Sequence, residues 1–223
     1  AYIFTENIAI EAAKWVFSVE MQFNPSSFNY SLIYLGISDS IITTPNGYAV
    51  KIGGSSDEVS LVRLDEGSEI KIIDGIDKRL DVSNPNVKIL VERDTNGLWT
   101  LKSKLDTENE FVLEGEVFDN TFLTPKYFGI HHHFSSTRSD KFFVDSISVE
   151  GNPFTDRVAP SLLGFQKEED SLFLKFNEPV SGFGKITLND VLVENVMIDD
   201  FSVHLNPLQG WHNGELNKLL VTG

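Results

Sequence analysis

The chain has 223 residues, 41% of them hydrophobic, which suffices for one large core or two modest ones. A formal net charge of −15 disfavours nucleic acid and anionic lipid as partners, and no apolar run is long enough to cross a bilayer as a helix. Cysteine is absent, which removes disulfides, thiolate catalysis and cysteine-bound zinc.

Seventeen Phe and five Tyr, set among short apolar runs, favour strands over helices. No secretory leader is read at Ala1, so an exported protein would be seen here in its mature form. Residues 1–10 predict an edge strand, with Ile8, Ala9 and Ile10 packing. Residues 14–35 organise the rest. Trp15, Phe17, Val19, Met21 and Phe23 share one face, and Val16, Ser18, Glu20 and Gln22 the other, the period of a strand buried on one side. Asn24-Pro25-Ser26-Ser27 carries turn chemistry, and a second apolar run covers residues 30–37.

Residues 47–52 and 58–64 alternate in the same way, with Val59 and Leu61 opposed to Ser60, and residues 69–73 form a short strand. Val87, Ile89 and Val91 lead into Asp94-Thr95-Asn96-Gly97, a hairpin turn with Gly97 suited to positive φ, and Trp99 and Leu101 return on the buried face. Further strands are expected over 110–118, 126–134 and 141–150. About ten short strands joined by Gly, Pro, Asn and Asp turns imply an antiparallel β-sandwich. Two prolines and a glycine within residues 151–160 mark the domain boundary. Beyond it, shorter strands over 172–176, 184–188, 191–198, 201–205 and 216–221 give an immunoglobulin-like pattern, with a last strand or two expected past residue 223.

WVFSVEMQFNPSSFNYSLIYL, GYAVKIGGSSDEVSLVRL, VKILVERDTNGLWTL and YFGIHHHFSSTRSDKFFVDSISVEG together resemble the N-terminal module of large secreted proteins of Bacteroidetes, a module similar to the concanavalin A-like, laminin-G-like jelly roll. DRVAPSLLGFQKEEDSLFLKFNEPV resembles bacterial Ig-like domains with an F-x-E-P-V turn. The resemblance implies an all-β chain: a jelly-roll sandwich over 1–151, then an Ig-like β-sandwich over 152–223, truncated at its C-terminus. It also implies a secreted or cell-surface location, with further domains of the same polypeptide or a secretion apparatus as partners.

Several residues could carry chemistry. Tyr48, Trp99 and Tyr127 are the aromatic candidates for stacking on sugar rings, with core or cross-strand packing as the other reading of Trp99. Asp145 lies in KFFVDSISV, where alternation sets it with Phe143 and Ile147 on an inward face. A carboxylate there must be paired or bound to a cation, so Asp145 is either a ligand of structural Ca²⁺, as the resemblance to sugar-binding sandwiches suggests, or is satisfied by backbone N–H groups or Arg138. His131 and His133 point one way and His132 the other, and the first two could hold zinc or copper if Asp140 or Glu116 completed the set; the simpler reading is a strand that tolerates histidine. Glu114 and Glu116 would share a face, as a glycosidase pair requires, but Gly115 and the order of acids depart from the glycosidase pattern. Asp57, Asp65, Asp74, Asp77, Asp81, Asp94, Asp106 and Asp119 lie mostly in loops, where laminin-G-like modules carry a calcium rim, but no EF-hand-type loop occurs. No nucleophile elbow, phosphate loop or dinucleotide fingerprint is present. The expected role is a non-catalytic module that binds polysaccharide or surface glycan. A ligand-free spacer or secretion cargo and a polysaccharide-acting hydrolase are the alternatives.

Overall fold

A computed structural model describes residues 2–40, 43–157, 160–180, 185–193, 196–199, 201–205 and 218–222. The chain is all-β and gathers into two compact units, Ala1–Thr155 and Asp156–Gly223.

The first unit comprises β1 (Tyr2–Glu6), β2 (Glu11–Met21), β3 (Tyr30–Ile37), β4 (Gly47–Gly53), β5 (Glu58–Asp65), β6 (Ser68–Ile73), β7 (Asn86–Arg93), β8 (Leu98–Leu105), β9 (Val112–Phe118), β10 (Tyr127–His133) and β11 (Phe142–Asn152). They form a six-stranded sheet in the order β1-β10-β3-β4-β5-β6 and a five-stranded sheet in the order β11-β2-β7-β8-β9. Every pairing is antiparallel, and the late strands β10 and β11 pair with the early strands β1 and β2. The two antiparallel sheets make a jelly-roll β-sandwich.

β2 is the keystone. Its alternation buries Trp15, Phe17, Val19 and Met21 completely, while Ala12, Lys14 and Val16 face outward. Trp15 stacks on Trp99 with ring centroids 5.6 Å apart, and Tyr48 packs on Trp99 at 4.5 Å. Each indole N–H finds a backbone carbonyl, Trp15 Nε1 donating to Leu35 O at 3.1 Å and Trp99 Nε1 to Asp119 O at 3.0 Å. The hairpin turn forms as its sequence predicts. Asp94 Oδ1 accepts the Asn96 and Leu98 N–H groups at 2.8 Å each, and Gly97 takes φ +93°. Ile8 departs from the expectation at the first strand: it is exposed, whereas Ala9 and Ile10 pack.

The second unit comprises β12 (Leu162–Glu168), β13 (Ser171–Phe176), β14 (Lys185–Leu188), β15 (Val191–Leu192), β16 (Val196–Asp199), β17 (Ser202–Leu205) and β18 (Leu219–Thr222). Sheets ordered β12-β13-β17-β16 and β15-β14-β18 share a small core of Leu172, Leu174, Val203 and Leu205 with Ile186 and Leu188. Residues 184, 194–195 and 216–217, expected in strands, lie outside the described residues.

One face is opposite to the sequence reading. In β11, Phe142 and Val144 pack against the core, whereas Phe143 and Ile147 are exposed. The register slips between Asp145 and Ser148, and Ser146 sits at φ 56°. A bulge inserts one residue, so Val149, in phase with Phe143 by simple alternation, turns inward.

Candidate functional site

The outer face of the six-stranded sheet, turned away from the β2 sheet, carries a group of polar and aromatic side chains. Cross-strand partners share a face, so the register defines it row by row. Tyr2, His131, Leu32, Lys51 and Ser60 are successive partners across β1, β10, β3, β4 and β5. Beside them run His133, Tyr30, Gly53 and Glu58, and on the other side Phe4, Gly129, Tyr34, Ala49, Val62 and Lys71. Leu32, Tyr34, Ala49, Val62 and Leu64 form a buried apolar floor, against which Phe4, Tyr30 and Tyr127 pack.

A polar pocket of about 190 Å³ lies at the β4–β6 end, lined by Lys51, Gly53, Ser56, Glu58, Glu69 and Lys71. Lys51 Nζ donates to Glu69 Oε2 at 2.6 Å, and Lys71 Nζ contacts Glu58 Oε1 and Asp74 Oδ1 at 2.6 Å each. Bonds to Asp74 and Glu58 hold the Lys71 ammonium above its ordinary pKa. In the pocket, Oε2 of Glu58, a residue 3% exposed, has no partner; outside its lining, Oγ of the fully buried Ser60, the cross-strand partner of Lys51, has none either. A buried acceptor left unmatched costs about 1–3 kcal/mol.

An aromatic ladder adjoins the pocket. Lys51 Nζ sits 4.4 Å over the Tyr30 ring, which stacks on His133 at 4.4 Å with planes 12° apart. His133 meets His131 at 4.1 Å, and His131 stacks on Tyr34 at 6.3 Å with its Nδ1 3.2 Å from the Tyr34 hydroxyl. Burial, and then the neighbouring His133, push the His131 imidazole down to about 4. Burial, with Glu69 nearby, raises the Tyr34 phenol to about 12. His132 points to the opposite face, where it pairs with Ser31 Oγ at 2.9 Å and stacks on Phe142 at 4.6 Å.

The residues singled out from sequence fall elsewhere. Tyr48 and Trp99 are fully buried, and their expected role as stacking platforms is corrected: both rings build the core. Tyr48 donates its hydroxyl to Asp119 Oδ1, and Asp119 also binds Arg63 Nη1 at 2.6 Å. Tyr127 is half-buried on the outer face. Asp145 is exposed rather than inward, because it pairs with Ser18 in phase with the exposed Phe143, and its Oδ1 accepts the Ser146 N–H at 2.6 Å. A lone exposed carboxylate does not fit a calcium site, and no group of three or more His, Asp and Glu gathers among the described residues. Glu114 and Glu116 do not share a face. A register shift between Leu113 and Gly115 leaves Glu114 as the extra residue and turns it inward, onto Ser103 Oγ, Arg79 Nε and the Ile76 N–H, while Glu116 is exposed and bonds Thr100. Several loop aspartates serve the fold, as Asp94 in its turn and Asp65 and Asp119 on Arg63 show.

Lys51, Glu58, Ser60, Glu69 and Lys71 were not singled out from sequence. The available signal is a polar residue between two apolar ones in each of these strands, as in Val50-Lys51-Ile52 and Val59-Ser60-Leu61. A larger concavity of about 760 Å³ lies in the second unit, floored by Leu163, Phe165 and Phe173 beside Lys175 and Asp199. It is an open apolar trough, and none of the unpartnered buried polar atoms belongs to a residue lining it.

No protein-family model matches the chain, and no curated protein matches it. Among solved structures, the exoplasmic/lumenal domain of VIP36 in its Ca²⁺- and mannose-bound form is similar at 13% identity, over 70% of this chain and 75% of that one, with a TM-score of 0.48. A tetrameric galectin from the ball sponge Cinachyrella sp. is similar at 12% identity over 67% and 99% of the two chains, TM-score 0.45. The carbohydrate-binding module CBM66 from Bacillus subtilis is similar at 12% identity over 67% and 82%, TM-score 0.43.

Proposed function

We propose that the chain is a non-catalytic glycan-binding module whose ligand lies on the outer face of the six-stranded sheet. The observation that carries this reading is the pocket at Lys51, Glu58, Glu69 and Lys71, where the buried Glu58 Oε2 stands unmatched beside an aromatic and histidine ladder. Sugar hydroxyls are donors and acceptors at once, and they suit a site that alternates ammonium and carboxylate. The Lys51–Glu69 pair is partly exposed, so its two flexible side chains can part to admit a hydroxyl to Glu58 and Ser60. The rims of Tyr30 and His133 then offer apolar contact to a sugar ring. The opposed orientations of Glu114 and Glu116 argue against a glycosidase pair there.

We further read the second unit as an Ig-like spacer in a larger secreted or surface-attached protein, on the sequence resemblance. The test is a glycan array followed by calorimetry on Lys51→Met and Glu58→Gln. The reading expects a polysaccharide or oligosaccharide ligand whose affinity falls at least tenfold in both variants. An array with no ligand would leave the spacer role.

A further inference from the structure

We infer that His131 and His133 form a chelating pair for a divalent first-row transition ion, and that the pair suits copper or nickel better than zinc. It shares His133 with the glycan reading but rests on the two imidazoles alone, and its test uses metal ions without any sugar.

The argument is geometric. The two residues are i and i+2 on β10, so both rings project from one side of the sheet. Their centroids are 4.1 Å apart with planes tilted by 49°. Imidazole nitrogen binds such ions at about 2.0–2.1 Å, so an ion held by a nitrogen of each ring would lie about 3.2 Å from each ring centroid. Centroids 4.1 Å apart then subtend about 80° at the ion. That angle is near the 90° of cis ligands in a square-planar copper or nickel site, and well short of the tetrahedral angle zinc prefers.

Both rings are held in place by neighbours. Tyr30 stacks on His133 at 4.4 Å, and the Tyr34 hydroxyl lies 3.2 Å from His131 Nδ1. In the tautomer with the proton on Nδ1, His131 donates to that hydroxyl and keeps its Nε2 lone pair for the ion, the outer-shell arrangement metal-bound histidines use. Beside His133, Lys51 is paired with Glu69. No further His, Asp or Glu joins the pair among the described residues, so water or a bound ligand completes the coordination.

The experiment titrates the full chain with Cu²⁺, Ni²⁺ and Zn²⁺ in a non-chelating buffer by calorimetry, with electron paramagnetic resonance of the copper form. The proposal expects one equivalent bound, affinity in the order Cu²⁺ above Ni²⁺ above Zn²⁺, and nitrogen splitting from two imidazoles. Affinity for copper should fall at least tenfold in His131→Gln and in His133→Gln. It should fall only severalfold in Tyr34→Phe, and hold in His204→Gln. Wild-type copper spectra lacking two imidazole nitrogens would overturn the proposal without recourse to any variant. So would a wild-type affinity in folded His133→Gln, or zinc bound more tightly than nickel.

Discussion

Arg79 shows how single residues secure this sandwich. It is nearly buried, and its guanidinium reaches Glu108 Oε1 at 2.6 Å, Ser103 Oγ at 2.9 Å and Glu114 Oε1 at 3.3 Å. The Arg79 side chain, with the Leu105 N–H, holds the Glu108 carboxyl down at about 2, against an ordinary 4.5. The folded value is depressed, so the unfolded chain binds more protons between these limits. The stabilisation is complete above about pH 4.5 and is lost as pH falls towards 2. Glu108→Gln should therefore lower the melting temperature at pH 7, and the gap from wild type should narrow in acid melts near pH 3. A gap unchanged by pH would contradict the ion pair. Glu114→Ala strips a buried carboxylate from Arg79, Ser103 and Ile76, and chemical denaturation should show a loss of about 3–5 kcal/mol. Trp99→Ala should cost about 3–5 kcal/mol by the same measurement, because it removes the ring between Trp15 and Tyr48.

Turns and bulges decide which faces the elements present. In the β7–β8 hairpin, a Cβ at Gly97 would lie within 1.8 Å of Asn120 Oδ1, and φ is +93°. Gly97→Ala should thus destabilise the fold by more than about 1 kcal/mol, while Thr95→Ala in the same turn should be close to neutral; denaturant melts of both variants compare them. The bulge at Ser146 carries a second prediction. Glycine accepts φ 56° without strain, so Ser146→Gly should hold stability within about 0.5 kcal/mol, whereas Ser146→Val should lower it by more than about 1 kcal/mol in the same melts. These devices also explain what alternation could not show. Strand existence was legible throughout the first unit, from Trp15-Val16-Phe17 to Phe143-Val144. The facing of Asp145 and of Glu114 was not, because each lies at a register shift that no period of two contains.

At the scale of the whole molecule, two cores are separate in composition: one built on Trp15, Trp99 and Tyr48, the other on Leu172, Leu174 and Val203. A chain ending at Thr155 should fold alone and keep the near-ultraviolet dichroism of the stacked Trp15–Trp99 pair; a featureless spectrum would refute this. It should also retain the proposed glycan site and the histidine pair, which lie wholly within the first unit.

The sequence by itself determined the class of fold, the β2 face that anchors the core and the Asp94–Gly97 turn. These depend on periodicity and on local backbone chemistry, which a short window contains. It also placed His131 and His133 on one side of a strand. Only the tertiary structure decided that Tyr48 and Trp99 face each other inside, and that Lys51, Glu58, Ser60, Glu69 and Lys71 meet on one face. Those five residues come from three strands, and their meeting depends on register between strands, a long-range property set by packing both sheets at once.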